Sequence, residues 1–157
     1  MSAPAHVVTP SRGSNRGFWT VTIPIGLACV LLLTLILLNR PIAERASEVT
    51  ARQNLRRAVD AAVRIQTQEG TLAVATKQRL KTTESDLLFI DPDEASNDPG
   101  IISVFTSGSV WAAANRADTG TCYWVRLDHQ GSTTFGTGAD CTGDAARAAS
   151  DPAWPSN

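Results

Sequence analysis

An uncharged run of twenty-one residues, FWTVTIPIGLACVLLLTLILL, extends from Phe18 to Leu38 and constrains this chain more than any other feature. At the rise of an α-helix the run extends roughly 31 Å, the thickness of the hydrocarbon core of a bilayer. It is longer than the apolar region of a secretory signal peptide, and it is followed by Asn39-Arg40-Pro41 without a small-residue cleavage site. The sequence therefore predicts a retained transmembrane helix over residues 18–38.

Residues 1–17 are predicted to form a disordered basic leader, because they consist mainly of small and polar residues, glycine and proline. Arg12 and Arg16 lie close to the predicted membrane helix. The positive-inside count nevertheless favours the opposite orientation, because more arginines follow the helix: Arg40, Arg45, Arg52, Arg56 and Arg57. We place the N-terminus in the cytoplasm and the C-terminal domain outside the cell membrane, since two later cysteines favour an oxidising compartment and these arginines alternate with acidic residues.

Residues 39–157 are sufficient for one domain with a modest core. The formal net charge of −1 gives no electrostatic basis for binding nucleic acid. Cys29 lies within the apolar run, whereas Cys122 and Cys141 lie in the glycine-rich C-terminal third. We predict a disulfide between Cys122 and Cys141, which would close a loop of about 20 residues and contribute roughly 3 kcal/mol. Two unrelated thiols are the alternative.

Apolar residues at three- and four-residue steps predict one long amphipathic helix over residues 42–69, which ends at Gly70. The predicted apolar face is formed by Ile42, Ala46, Val49, Leu55, Ala58, Val59, Ala62, Val63 and Gln66. A second short helix is possible within residues 71–80. An apolar run over residues 87–90 precedes a loop rich in aspartate and proline.

Beyond Gly100 the pattern predicts an antiparallel meander with strands at 101–105, 109–114, 121–128 and 132–135, separated by glycine-containing turns. In the third strand, alternation assigns Tyr123, Val125 and Leu127 to the core face. Trp154 either packs its end of the chain against the sheet or belongs to a free tail. The predicted fold class is α+β, with a long N-terminal helix packed on a small antiparallel sheet.

The acidic loop contains oxygen ligands that could hold Ca²⁺, at Asp91, Asp93, Glu94 and Asp98. Their spacing matches no EF-hand loop, and an exposed acidic turn explains them better. We therefore predict no metal site.

Catalytic chemistry finds little support in the residue pattern. His6 lies in the predicted leader, and His129 lies in a polar turn beside Asp128. A catalytic triad of Asp128, His129 and Ser132 is less plausible than a polar hairpin turn that contains all three residues. We therefore predict no enzymatic activity and no cofactor. Three aromatic residues could form a recognition patch, although burial in the core is the commoner explanation: Trp111, Tyr123 and Trp124.

The chain resembles the type IV pilins of bacteria and the pseudopilins of type II secretion. Gly17-Phe18 looks like the junction that prepilin peptidase cuts after a short basic leader, and Pro41 lies near the position of a proline in the pilin helix. The stretch from Ala51 to Ala58, ARQNLRRA, is similar to the Ala-x-x-Asn-Leu-Arg-x-Ala pattern of many pilins. GTCYW at residues 120–124 adds to the resemblance.

The resemblance implies a transmembrane half-helix that continues into an amphipathic half, packed on the sheet of a disulfide-closed head at residues 39–157. It also implies a non-enzymatic subunit of a pilus or secretion-type envelope assembly, whose N-terminal helix contacts lipid and other pilin-like or platform proteins. The chain departs from the family at Thr22, where pilins carry a glutamate that is implicated in docking each subunit into the filament. A pilin-like head on a permanent anchor is therefore an alternative to a filament subunit.

A single-pass anchored module that binds a soluble ligand or an envelope polymer is the alternative function. It would use the sheet and the loop between Cys122 and Cys141. A membrane-tethered enzyme would need a pocket that the residue pattern does not indicate.

Overall fold

The computed structural model describes the backbone of residues 19–155 and the side chains of Thr34 and residues 42–155. Contacts divide the chain into two units, Met1–Arg40 and Pro41–Asn157. The predicted leader and the Gly17-Phe18 junction lie outside the described residues, as do the side chains of segment 18–38 apart from Thr34. Among the residues that the structure does describe, no helix is both long and apolar enough to span a bilayer.

The first helix, α1, comprises Trp19–Glu69 and includes the helix predicted over residues 42–69. It ends where the sequence predicts. Gly70 has a φ of 76°, and its N–H donates to the carbonyl oxygen of Gln66 over 2.8 Å. A left-handed residue just beyond a helix is usually glycine, because a side chain there would clash with the backbone.

The buried face of α1 agrees with the predicted one in part. Leu55, Ala58 and Ala62 are buried as predicted, whereas Ile42, Val49 and Val63 are 67%, 44% and 38% exposed. Most of the buried residues are alanines, whose small side chains allow the helix to approach the sheet closely. The buried residues are Ser47, Ala51, Leu55, Ala58, Ala61, Ala62 and Ile65.

A 3-10 turn at Leu72–Val74 and a second helix, α2 at Lys77–Thr83, follow α1. Glu84 joins the end of α2 to α1. Its Oε2 accepts from Arg57 Nη2 over 2.8 Å, and its Oε1 accepts from Arg64 Nη2 over 2.7 Å. Because the Glu84 side chain is only 15% exposed, this carboxylate is better shielded from water than an ordinary surface ion pair.

The strands in the described part of the chain form one five-stranded sheet in the order β1-β2-β3-β4-β5. Their bounds are Leu88–Ile90, Ile101–Thr106, Val110–Arg116, Cys122–Asp128 and Thr133–Gly138. Strands β2 to β5 form the predicted antiparallel meander. Strand β1 pairs with β2 in parallel, so the sheet is mixed and the prediction of a purely antiparallel sheet was wrong. A run of three residues is too short to show the alternation that identifies a strand.

The inner face of the sheet packs on α1. Tyr123, Val125 and Leu127 lie in this main core, as predicted. The outer face is covered by a third helix, α3 at Gly143–Ala146. There Cys122 joins a second, smaller apolar cluster that also contains Ala112, Ala114, Cys141 and Ala146. Both faces of the middle strands are therefore buried.

Two asparagines connect α1, the acidic loop and β3. The Nδ2 atoms of Asn54 on α1 and of Asn115 on β3 donate to the same carbonyl oxygen, that of Pro99, over 2.7 and 2.8 Å. Asn54 belongs to the ARQNLRRA stretch that carries the resemblance to pilins. In this chain its side chain fixes the position of the helix against the loop that leads into β2.

Candidate interaction surface

The predicted disulfide is present. Cys122 at the start of β4 is bonded to Cys141, which follows β5, with an S–S distance of 2.08 Å. Both residues are almost fully buried, at 0% and 1% exposure. The bond fastens the segment that leads into α3 to the middle of the sheet, so that the C-terminal part of the chain covers the outer face.

Trp124 lies beside this disulfide, and its indole ring packs against the glycines of β5. Its Nε1 donates to the carbonyl oxygen of Asp140 over 2.9 Å. A Cβ atom built on Gly138 would lie 2.0 Å from the indole ring of Trp124. Only a residue without a side chain therefore allows the ring to rest on the strand at this point.

Of the two possibilities for Trp154, docking against the sheet is the observed one. Its Nε1 donates to the carbonyl oxygen of Trp124 over 3.0 Å. Its ring lies 4.4 Å from the ring of Phe135 and 6.4 Å from that of Tyr123, measured between centroids. The guanidinium of Arg56 on α1 lies 5.4 Å from the Trp154 ring centroid, at cation–π distance.

A furrow runs along the exposed side of α1 next to Trp154. One part is a cavity of about 190 Å³ lined by Arg56, Val59, Asp60, Thr133, Phe135 and Trp154. A second cavity, of about 250 Å³, continues along the helix and is lined by Val49, Arg52, Gln53 and Arg56. We call these two cavities together the helix furrow. Its mixture of aromatic, aliphatic and arginine side chains suits contact with another macromolecule.

Three exposed aliphatic residues of α1 lie seven or fourteen positions from one another along the helix, and they are Ile42, Val49 and Val63. Residues at such intervals lie on nearly the same side of an α-helix. The helix therefore presents a discontinuous apolar line beside the helix furrow. Arg52 lies next to this line, with its guanidinium 5.3 Å from the ring centroid of Tyr123.

The groups considered for chemistry at the sequence level take part in turn and loop contacts, and Asp128 Oδ1 accepts from the backbone N–H of Ser132 over 2.9 Å. The backbone N–H of His129 donates to the carbonyl oxygen of Ser109 over 3.0 Å, and its own carbonyl accepts from Gln66. In the acidic loop, Asp91 pairs with Lys77, and Asp98 Oδ1 accepts from the N–H of Gly100 over 2.7 Å. The described residues contain no group of three or more His, Cys, Asp or Glu side chains that could hold a metal ion.

Two of the three aromatic residues follow the burial interpretation, and the third, Trp124, is partly buried. Trp111 and Tyr123 are 0% and 1% exposed, so neither forms a surface patch. Sequence reasoning missed the pairing of Arg56 with Trp154, which are almost a hundred positions apart. The prolines that flank Trp154 indicate a constrained segment but do not indicate where it docks.

Comparisons with protein-family profiles, with curated proteins and with the solved structures find no match.

Proposed function

We propose that this chain is a non-enzymatic, membrane-anchored pilin-like or pseudopilin-like subunit of a type IV pilus or of a type II secretion-type envelope assembly. The observation that carries the proposal is the composition of α1. This one helical element starts at Trp19, within the uncharged run, and ends at Glu69, within the domain that carries the sheet. A chain with this arrangement has one part suited to lipid and another suited to a folded head.

The head supplies a second line of support. The half of α1 that lies in the domain buries an alanine-rich face against the inner side of the sheet. It leaves its opposite side exposed, with the helix furrow and the line of Ile42, Val49 and Val63. An assembly subunit needs such a side, because its neighbours must reach the helix without disturbing the core.

Membrane anchoring and topology are tested first on the full-length chain expressed in a bacterium. We expect the protein in the membrane fraction after a high-salt wash. We also expect Cys122 and Cys141 to react with a membrane-impermeant maleimide in intact cells only after treatment with a reductant. A protein that stays in the soluble fraction, or whose cysteines are alkylated only after lysis and without a reductant, would refute the anchored topology.

Processing is tested by N-terminal sequencing of the membrane-bound protein in a strain that contains prepilin peptidase. A sequence that begins at Phe18 supports a filament subunit, and Gly17→Ala should reduce that processing. Gly13→Ala, the same substitution elsewhere in the leader, is the matched control and should leave processing unchanged. If Met1 is retained in the wild-type protein, the filament version is excluded and the permanently anchored version remains.

The alternative function is a single-pass anchored binding module, and the cavity between Trp154 and α1 favours it. Two results would decide for this alternative over the assembly subunit. The first is that residues 18–38 can be replaced by an unrelated membrane helix without loss of function. The second is that the chain does not cross-link to pilin-like or secretion-platform proteins in the same cells.

A further inference from the structure

A cavity of about 340 Å³ lies on the outer face of the sheet, on the side opposite α1. It is bordered by the turn between β2 and β3, by β4 and by the residue that follows α3. Its lining residues are Phe105, Ser107, Ser109, Val110, Arg126 and Arg147. This volume is at the lower end of the range for small-molecule sites.

Arg126 is the better shielded of the two cations in this cavity. On β4 it lies opposite Ala112 of β3 and Thr134 of β5, and it is partly buried. Among the described residues, its guanidinium has no carboxylate within ion-pair distance and no hydrogen-bond acceptor. Asp128, two positions along the strand, directs Oδ1 to the backbone N–H groups of Gln130 and Ser132, at 2.9 Å each.

Arg147 supplies the second positive charge. Its guanidinium stacks on the ring of Phe105, 4.4 Å from the centroid. It also lies 3.7 Å from Asp144, in a pair whose side chains are 55% and 49% exposed. An ion pair that is so exposed is weak and is readily replaced. Stacking on an aromatic ring orients the plane of a guanidinium and leaves its N–H groups at the edge free to donate.

The other lining residues of the cavity are uncharged, and they add serine hydroxyls and apolar side chains to the two arginines. No carboxylate lines the cavity. The Ser107 hydroxyl is already bonded to Val110, whose N–H it accepts over 3.1 Å. The backbone carbonyl of Ser109 accepts from the N–H of His129, and the exposed Ser109 side chain lines the cavity. Phe105 and Val110 provide an apolar wall.

From this arrangement we infer that the cavity binds an oxyanion, a carboxylate or a phosphate, carried on a body about the size of a monosaccharide. Arg126 and Arg147 donate to the anion, and arginine is suited to this because its planar fork matches the oxygens of either group. Phe105 and Val110 contact the body of the ligand. The inference does not depend on the proposed membrane anchoring or on assembly, because every residue that it uses belongs to the head.

The test uses three ligands that share one sugar ring, which are glucuronate, glucose 1-phosphate and uncharged glucose. Each is titrated into the ¹⁵N-labelled full-length chain in a neutral detergent at about 0.15 M salt, where non-specific surface attraction is screened. Binding is followed through the arginine Nε–H resonances in NMR spectra. We expect at least one of the two anions to shift the resonances of Arg126 and Arg147, and we expect glucose to bind at least tenfold more weakly.

Variants assign the binding to the cavity. Arg126→Gln and Arg147→Gln should each weaken anion binding by about 10- to 100-fold, as expected when a charge-assisted hydrogen bond is lost. Arg45→Gln makes the same change of charge at an exposed position of α1 and should change binding less than twofold. Arg147 is itself exposed, so its variant will remain folded even if the Arg126 variant does not.

The outcomes separate the two possible sources of the anion. Preference for glucuronate identifies a carboxylate ligand, such as an acidic polysaccharide, and preference for glucose 1-phosphate identifies a phosphate ligand. The inference is overturned if neither anion binds, if glucose binds equally well, or if the Arg147→Gln and Arg45→Gln variants bind the anion alike. None of these results bears on whether the chain is anchored, so failure here is distinguishable from failure of the proposed function.

Discussion

Replacement of Gly143 by alanine should destabilise the head strongly, because α3 lies directly on the backbone of β2. A Cβ at Gly143 would lie 2.6 Å from the backbone nitrogen of Phe105 and 2.7 Å from the carbonyl carbon of Val104. The N–H of Gly143 also donates to Ser103 Oγ over 2.8 Å. A shift of α3 directly away from β2 would also lengthen this hydrogen bond, because Ser103 belongs to β2.

The magnitude follows from two opposing effects. Overpacking in a close-packed region costs about 1–3 kcal/mol, and the upper part of that range applies because the clashing atoms belong to the backbone and cannot rotate away. Alanine recovers about 0.4–1 kcal/mol, since it restricts the unfolded chain more than glycine does. We therefore expect Gly143→Ala to lower the free energy of unfolding by about 2 kcal/mol.

Gly108→Ala is the matched control. It makes the same chemical change in the turn between β2 and β3, where an added Cβ meets no atom within 4 Å and φ is not positive. Its free energy of unfolding should therefore equal the wild-type value or exceed it by up to about 1 kcal/mol, because alanine restricts the unfolded chain here without a clash.

The assay is urea unfolding of the full-length chain and both variants, followed by tryptophan fluorescence. With a slope of about 1–2 kcal/mol per molar urea, the midpoint for Gly143→Ala should fall by about 1–2 M. If Gly143→Ala and Gly108→Ala unfold at the same urea concentration, the close approach of α3 to β2 is wrong. A loss of stability in Gly108→Ala alone would refute the same reasoning.

Three further changes should lower the free energy of unfolding. Replacing Cys122 and Cys141 together by alanine should cost about 3 kcal/mol, because the bond spans 19 positions and restricts the unfolded chain. Glu84→Gln should cost about 1 kcal/mol, since a neutral amide cannot pair with the arginines of α1. Trp154→Ala should cost about 2 kcal/mol, because the half-buried indole loses its contacts with Phe135 and its hydrogen bond. All three are measured by urea unfolding.

Two of these measurements have a control, and each has an outcome that would contradict it. Treating the wild-type protein with a reductant should reproduce most of the effect of removing both cysteines, and no effect of the reductant would contradict a structural role for the bond. Glu94→Gln, at an exposed position in the acidic loop, should leave stability unchanged. An equal loss of stability in Glu94→Gln would show that the pairing of Glu84 with the arginines of α1 does not explain the effect of Glu84→Gln. Unchanged stability of Trp154→Ala would mean that the C-terminal segment does not dock.

Much of the head was predictable because its signals are local. Alternation in β4 identified Tyr123, Val125 and Leu127 as core residues, and glycine at position 70 marked the end of α1. The buried face of α1 was predicted less well. The prediction placed the bulky residues Ile42 and Val49 on the buried face, and both are exposed. The close contact between helix and sheet leaves room only for small residues such as Ala51, which is buried.

The residues of the candidate sites could not be found in this way. Arg126 and Arg147 carry no spacing signal, and only the sheet register and the position of α3 bring them to one cavity. The same holds for Arg56 and Trp154. Side chains from distant segments become neighbours through packing, and packing leaves no local pattern in the sequence.

The amino-acid sequence by itself determined the end of α1, the antiparallel meander, the core-facing residues of β4 and the pairing of Cys122 with Cys141. Periodicity and turn residues act over short stretches of chain, and a small number of cysteines leaves few possible pairings. The tertiary structure alone decided the parallel pairing of β1 with β2, the exposure of Ile42, Val49 and Val63 on α1 and the covering of the outer face by α3. These features depend on how closely two surfaces fit, and that fit exists only once the chain has folded.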